Sequence, residues 1–223
     1  MPSKDGRAHS LPSLRDIFDR ESLPVARLRA DAQQAIYATG DEDDAMYLIE
    51  SGQVKLSMSS ASGKDCVLAI YAAGDVFGES CFLDSGRRNE TASAMQRTFV
   101  RKVLRRDYLV EVEKASAMEM LLRHLALRLA ERQVAVFDLV TMDAEKRLAK
   151  VLLGIAEKLG SIDGDYARVD LRISQEELSQ IVGTTRPRIT VFMQRFRKRG
   201  IVVTAGRSIA VHRRKALQLL DSD

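Results

Sequence analysis

The sequence predicts an α+β chain: a β-rich N-terminal sandwich or barrel, one long helix, and a C-terminal winged helix-turn-helix. Three observations predict it. Short β-prone runs alternate with glycine turns from Ala35 to about Val103. The apolar spacing then changes to a heptad stripe in a stretch without Gly or Pro. Near the C-terminus a capping box, a glycine turn and a proline-started helix follow one another.

In the first segment the β runs are Met46–Ile49, Val54–Met58, Cys66–Tyr71 and Phe99–Leu104. Gly40-Asp41, Ser51-Gly52, Ser62-Gly63, Gly74-Asp75, Gly78 and Ser85-Gly86 punctuate them. Runs this short and closely spaced form an antiparallel fold spanning 35–104. A helix is expected over 106–140, with Met118, Leu122, Leu125, Leu129, Arg132, Val136 and Leu139 in heptad positions. A small barrel cannot bury so long a stripe, so pairing with the same helix of a second copy is expected, with Arg132 interrupting the seam. The first domain is then residues 1–140, and a hinge is expected from Thr141 to Asp143.

The second domain, 143–223, opens with a helix from Ala144 to Leu159, capped by Asp143 and closed by Gly160 as a C′ residue. Ser161–Asp165 reads as a loop and Arg168–Arg172 as a strand. Ser174-Gln-Glu-Glu177 is a capping box opening a helix over Gln175–Val182, and Gly183 suits a left-handed turn. A second helix begins at about Thr185, Pro187 standing in its first turn, with Ile189, Phe192, Met193 and Phe196 facing inward. Outward at its start are Thr185, Arg186, Arg188 and Thr190, where a recognition helix meets base edges. Thr184, Gln194, Arg195, Arg197, Lys198 and Arg199 are placed for phosphates. Gly200–Thr204, Gly206-Arg207 and Ser208–His212 read as the wing hairpin.

Charge agrees with this division. The chain of 223 residues carries +4 overall, but residues 144–223 hold 16 Lys/Arg against 9 Asp/Glu, or +7, leaving −3 on 1–143. A basic C-terminal third on a mildly acidic remainder points to an anionic polymer at one end, here double-stranded DNA. No apolar run approaches the roughly 20 residues of a membrane span, and Met1–Ser22 has no signal-peptide core, so a cytoplasmic protein is expected. Cys66 and Cys81 are too few for a zinc or iron–sulfur site and read as reduced thiols, with a redox role left open.

The order of parts resembles the catabolite activator/fumarate-nitrate regulator (CRP/FNR) family from about Ala35 onward. The residues that carry the resemblance are Gly40-Asp41 through Tyr47-Leu-Ile to Gly52-Gln-Val, Gly74-Asp-Val-Phe-Gly-Glu79, and Glu176–Arg186. It implies a cyclic-nucleotide-binding-type β-roll, or jelly-roll, a dimerisation helix, and a winged helix-turn-helix that binds a pseudo-palindromic promoter as a homodimer. It also implies RNA polymerase as partner if the protein is an activator. The implied ligand pocket comprises Gly78, Glu79, Ser80, Glu90, Thr91, Arg132 and Gln133. In cyclic-nucleotide binders the phosphate cassette ends in Arg-Ser/Thr-Ala, whereas this chain reads Glu90-Thr91-Ala92. A carboxylate there repels a cyclic phosphate, which argues against cyclic AMP and leaves another nucleotide, a cyclic dinucleotide or no ligand. Arg87 and Arg88 stand nearby, and substitution by either requires a shifted loop. His9, His124 and His212 have no evident haem-ligating arrangement. In the recognition helix Arg186 keeps the guanine-reading arginine of the family. Pro187 and Val191 replace an acidic residue and an arginine, so flanking specificity is expected to differ. An enzyme subunit or signalling adaptor gated by the β-roll is the alternative, and the sequence supplies no catalytic constellation for it. A purely architectural DNA binder is less consistent with the sensor-like first domain.

Overall fold

The computed structural model describes residues 13–83, 86–170, 173–205 and 208–222. Ser85, Leu171, Arg172, Gly206 and Arg207, with His9 and the rest of the N-terminus before Ser13, lie outside the described residues. A short helix α1 (Leu14–Ile17) precedes β1 (Ala26–Ala30), β2 (Ala35–Tyr37), β3 (Ala45–Ser51), β4 (Gln53–Ser59), β5 (Asp65–Ala72), β6 (Val76–Phe77), β7 (Thr91–Ala94) and β8 (Thr98–Leu104). These strands form two four-stranded antiparallel sheets, ordered β1-β8-β3-β6 and β2-β7-β4-β5. The sheet system therefore begins at Ala26 rather than Ala35. Arg27 and Arg29 break the apolar run of β1, which is exposed except at Ala30 and gives no burial signal.

Strand β3 shows how the layers form. Ala45, Met46, Tyr47, Leu48 and Ile49 are all buried. Ala45, Tyr47 and Ile49 face the opposite sheet with Tyr37, Val54, Tyr71, Phe77 and Val100. Met46 and Leu48 face the helical layer with Ile17, Phe18, Tyr108 and Leu121. The two-residue period thus divides between two cores, and a strand covered on both faces reads as an unbroken apolar run.

The helix expected over 106–140 is two helices, α2 (Arg105–Lys114) and α3 (Met118–Thr141). Ser116 adopts φ +52° between them. The amides of Ala117 and Ser116 donate to the carbonyls of Val112 and Glu113, both at 2.9 Å, the paired closure of a Schellman turn. A serine in the position usually held by Gly gives no stop signal, which is why the sequence reads straight through.

Asp143 caps α4 (Ala144–Leu159), accepting from the amides of Glu145 and Lys146 at 2.8 and 2.9 Å. Gly160 ends α4 in extended rather than left-handed backbone. A Cβ there would lie 2.0 Å from the Arg168 carbonyl oxygen, so glycine is required by close approach and not by φ. The expected loop after it is partly strand: β9 (Ser161–Asp163) pairs with β10 (Tyr166–Asp170). Helices α5 (Gln175–Val182) and α6 (Arg186–Lys198) and strands β11 (Val202–Ala205) and β12 (Ser208–His212) follow. A last helix α7 (Arg213–Asp221), absent from the sequence reading, packs Ala216 into the core formed by Leu148, Leu152, Leu178, Ile189, Phe196 and Val211.

Candidate nucleic-acid interface and sensor pocket

The helix-turn-helix is built by local chemistry. Ser174 Oγ accepts from the Glu177 amide at 3.1 Å while Glu177 Oε2 accepts from the Ser174 amide at 2.9 Å. Gly183 stands at φ +69°, and the Thr184 amide returns to the Ser179 carbonyl at 3.0 Å, turning the chain into α6. Ile189, Phe192, Met193 and Phe196 are buried, so α6 is fixed in rotation and its opposite face is set outward.

On that face Thr185, Arg186, Arg188 and Gln194 are exposed. Thr190 and Arg195 of the expected set are tied within the chain, and the Thr184 hydroxyl is turned away from solvent. Thr190 Oγ1 donates to Gln175 Oε1 at 2.6 Å and lies 3.2 Å from the Arg186 carbonyl, so its hydroxyl braces α5 against α6. Arg195 pairs with Glu145 on α4 at 2.8 Å. Thr184 Oγ1 is buried without a hydrogen-bond partner. Arg186 has no such tie, and Arg188 lies over the Phe192 ring at 5.6 Å.

In the sensor, the decisive side chain is Arg88, fully enclosed. Its Nε and one terminal nitrogen donate to Asp43 Oδ2 at 3.1 and 2.8 Å. The other terminal nitrogen donates to the Gly78 carbonyl at 2.7 Å and Ser80 Oγ at 2.9 Å. A fifth bond reaches the Ala45 carbonyl. All five guanidinium donors are therefore used, and the group also lies 4.1 Å from the centre of the Tyr37 ring. Asp43 binds Lys102 at 2.6 Å and Tyr47 at 2.8 Å as well. Burial opposes its charge, but Lys102, Arg88 and Tyr47 outweigh that and hold its carboxyl below the ordinary aspartate range.

Glu90 has internal partners of its own beside this network. The guanidinium that meets the cassette backbone is that of Arg88, with Arg87 turned outward onto Glu42. Glu90 Oε1 accepts from Ser80 Oγ at 2.8 Å and Tyr37 Oη at 3.0 Å, a hydrogen-bonded carboxylate beside the arginine. The signal was present. Ala94 and Ala92 are buried, and continuing their alternation backward places Glu90 and Arg88 inward.

Glu79, Thr91 and Arg132 are committed to protein partners too. Glu79 Oε1 meets His124 Nε2 at 2.6 Å and Arg128 Nε at 3.3 Å. Burial raises its pKa, but the bond to His124, a backbone amide and the Arg128 charge outweigh burial and hold the carboxyl below its ordinary range. Thr91 Oγ1 accepts from the Thr39 amide at 3.0 Å. Arg132, expected at the dimer axis, instead reaches Leu68 O and, at 3.3 Å, Tyr71 Oη of its own chain. Gln133 is exposed and makes no pocket contact.

Of the heptad positions, Leu122, Leu129 and Val136 are about 60% exposed, with Met118 and Leu139 also open. Leu125 is partly buried against the helical core of its own chain. Leu127, Val134, Phe137 and Val140 are exposed beside them, so the uncovered apolar face is wider than the heptad stripe.

Comparison with known proteins decides the family. Residues 27–113 match a cyclic nucleotide-binding domain and residues 146–220 a Crp-like helix-turn-helix domain. The chain is 35% identical over 179 residues to a CRP-like cAMP-activated global transcriptional regulator of Mycobacterium tuberculosis, covering 79% of each chain. The chain belongs to the CRP/FNR family of transcription regulators. It is also 30% identical over 169 residues to the cyclic AMP receptor protein of Thermus thermophilus, covering 75% of this chain and 74% of the relative. Among solved structures, FixK2 of Bradyrhizobium japonicum shares the fold with a TM-score of 0.76 at 22% identity, over 90% of this chain and 99% of that one. As a CRP/FNR regulator the chain binds DNA through its Crp-like helix-turn-helix domain. Among the described residues, no helix is long and apolar enough to cross a membrane.

Proposed function

We propose that this regulator acts in the cytoplasm as a homodimer on a pseudo-palindromic site, its half-sites about one helical turn apart, and that cyclic AMP is not its effector. The proposed division is a sensor over 1–140 and a DNA-binding domain over 143–223, with α3 as the dimer seam. Arg186 is the guanine reader; Thr185 and Arg188 flank it; Thr184, Thr190, Gln194 and Arg195 support the contact or meet phosphates. RNA polymerase is the further partner if the protein activates.

The exposed apolar face of α3 supports pairing, because Leu122, Leu129 and Val136 are about 60% exposed and gain burial when a second copy covers them. The reading of the effector rests on one observation: all five Arg88 donors are already bonded within the chain. A cyclic phosphate gains that guanidinium only by breaking bonds to enclosed acceptors, among them the ion pair with Asp43. A nucleotide-gated reading is favoured by the same residue seen differently, since Arg88 holds Gly78 and Ser80 of the cassette and the M. tuberculosis relative is named for cAMP. Titration calorimetry with cyclic AMP, cyclic GMP and cyclic di-GMP separates the two. No heat with cyclic AMP is expected, and saturable binding of cyclic AMP that tightens DNA binding overturns the reading. For the DNA end, Arg186→Ala should lose about 1–3 kcal/mol of preference at one guanine per half-site. Retained preference at every guanine refutes the assignment.

A further inference from the structure

Helix α6 has one exposed apolar side chain in its second turn. Ile189, Phe192, Met193 and Phe196 are at most 7% exposed, whereas Val191 is 45% exposed. A β-branched residue is a poor helix former, and at this exposure it recovers little by burial. Its neighbours on the helix surface are Pro187 and Arg195 one turn away, and Arg188 and Gln194 at three residues. Pro187 is also exposed, so the two make an apolar pair at i,i+4. The flanking cations are drawn aside, Arg195 onto Glu145 at 2.8 Å and Arg188 over the Phe192 ring. What α6 presents at this level is therefore the paired methyls of a valine.

We propose that Val191 reads the 5-methyl group of a thymine in the major groove. The proposal rests on α6 being the recognition helix and deepens it. Of the four bases only thymine offers an apolar group on its major-groove edge, and apolar side chains are what meet it. Recognition helices use residues in the second turn as well as the first for base contacts. Val191 is five residues beyond Arg186, about 7.5 Å along the helix axis. At about 3.4 Å per base pair, the thymine lies about two base pairs from the guanine met by Arg186.

The test uses the full-length protein and a DNA site selected by it from a random pool. Each thymine is replaced in turn by uracil, which removes only the methyl group. Burial of one methyl predicts about a fourfold loss of affinity at one thymine per half-site, and about fifteenfold when both half-sites carry uracil. Val191→Ala should reduce that difference to less than twofold while leaving the circular dichroism spectrum unchanged. Three results overturn the proposal: a selected half-site without thymine near the guanine, wild-type protein indifferent to uracil at every position, or Val191→Ala keeping the full uracil sensitivity. If the Arg186-dependent guanine preference persists in any of these, the DNA-reading helix stands and only the role of Val191 falls. If guanine preference is also lost, α6 itself is not the reader.

Discussion

Replacement of Arg88 by methionine is the perturbation that bears most directly on the sensor. Methionine fills much of the aliphatic space of arginine but removes the charge and five donors. Breaking a buried ion pair from one side costs about 3–5 kcal/mol, because the remaining charge is left without compensation. Here Asp43 keeps Lys102 at 2.6 Å and Tyr47 at 2.8 Å, so the lower end, about 3 kcal/mol, is expected. For a chain of this size that is about 6–12 °C in the sensor's thermal transition. Differential scanning calorimetry of Arg88→Met beside Arg87→Met gives the measurement. Arg87 has a 62% exposed side chain and meets Glu42 at 2.6 Å, so its loss should cost under about 1 kcal/mol. The pH dependence carries a second check. The folded Asp43 carboxyl titrates below its ordinary value of about 4. Its contribution is therefore present above that pH and is lost as pH falls through the folded value. Arg88→Met should flatten this acid-side loss. A variant as stable as Arg87→Met, with the same acid profile as wild type, refutes the enclosed network.

Three further outcomes follow from the same geometry. Leu122→Glu with Leu129→Glu removes four leucines from a paired seam, at least about 6 kcal/mol or roughly ten-thousandfold in dimer dissociation; analytical ultracentrifugation should show monomers, and a persistent dimer at micromolar concentration refutes α3 pairing. Cys81 is buried and burial pushes its thiol up to about 12, whereas Cys66 is exposed, so native protein should react with one equivalent of thiol reagent and unfolded protein with two. Gly160→Ala places a methyl 2.0 Å from the Arg168 carbonyl oxygen and 2.5 Å from that of Ala156, which should cost about 3 kcal/mol by urea denaturation; wild-type stability would show that the α4–β10 approach is looser.

The DNA-binding end was legible because its stops are written in residues with one use. A Ser-x-x-Glu box, a glycine at φ +69° and a proline in the first turn of α6 each fix one backbone feature, and all agree. The sensor was less legible where the same feature is made by an ordinary residue. Ser116 closes α2 as a glycine would, so two helices read as one. Arg87 and Arg88 are identical letters, and only the face set by β7 separates the enclosed one from the exposed one. Arg132 breaks the heptad in sequence, and its guanidinium reaches back to β5. Short strands such as β6 fall below what a period of two can reveal.

Besides Lys158 on α4, which meets Asp75 at 3.8 Å, two contacts join the first domain to the helix-turn-helix, and neither lies in the expected hinge alone. At the end of α3, the Arg147 guanidinium donates to the Val182 carbonyl at 2.9 Å and the Leu139 carbonyl at 3.3 Å, and also reaches Met142 O. The segment from Thr141 to Asp143 is thereby tied at once to the end of α3 and to the turn of the helix-turn-helix. The second contact joins residues 122 apart in sequence: Lys55 on β4 meets Glu177 on α5 at 2.7 Å, with side chains 15% and 10% exposed. Burial opposes the Glu177 charge, but Lys55 and the Ser174 donors outweigh it and keep the carboxyl below its ordinary range. The same carboxylate is the N3 member of the α5 capping box. The sheet that holds β4 and β5 thus meets the first turn of α5 directly, without α3 between them. The Gln175–Thr190 bond then ties α5 to α6, which places α6 within two side-chain bonds of that sheet.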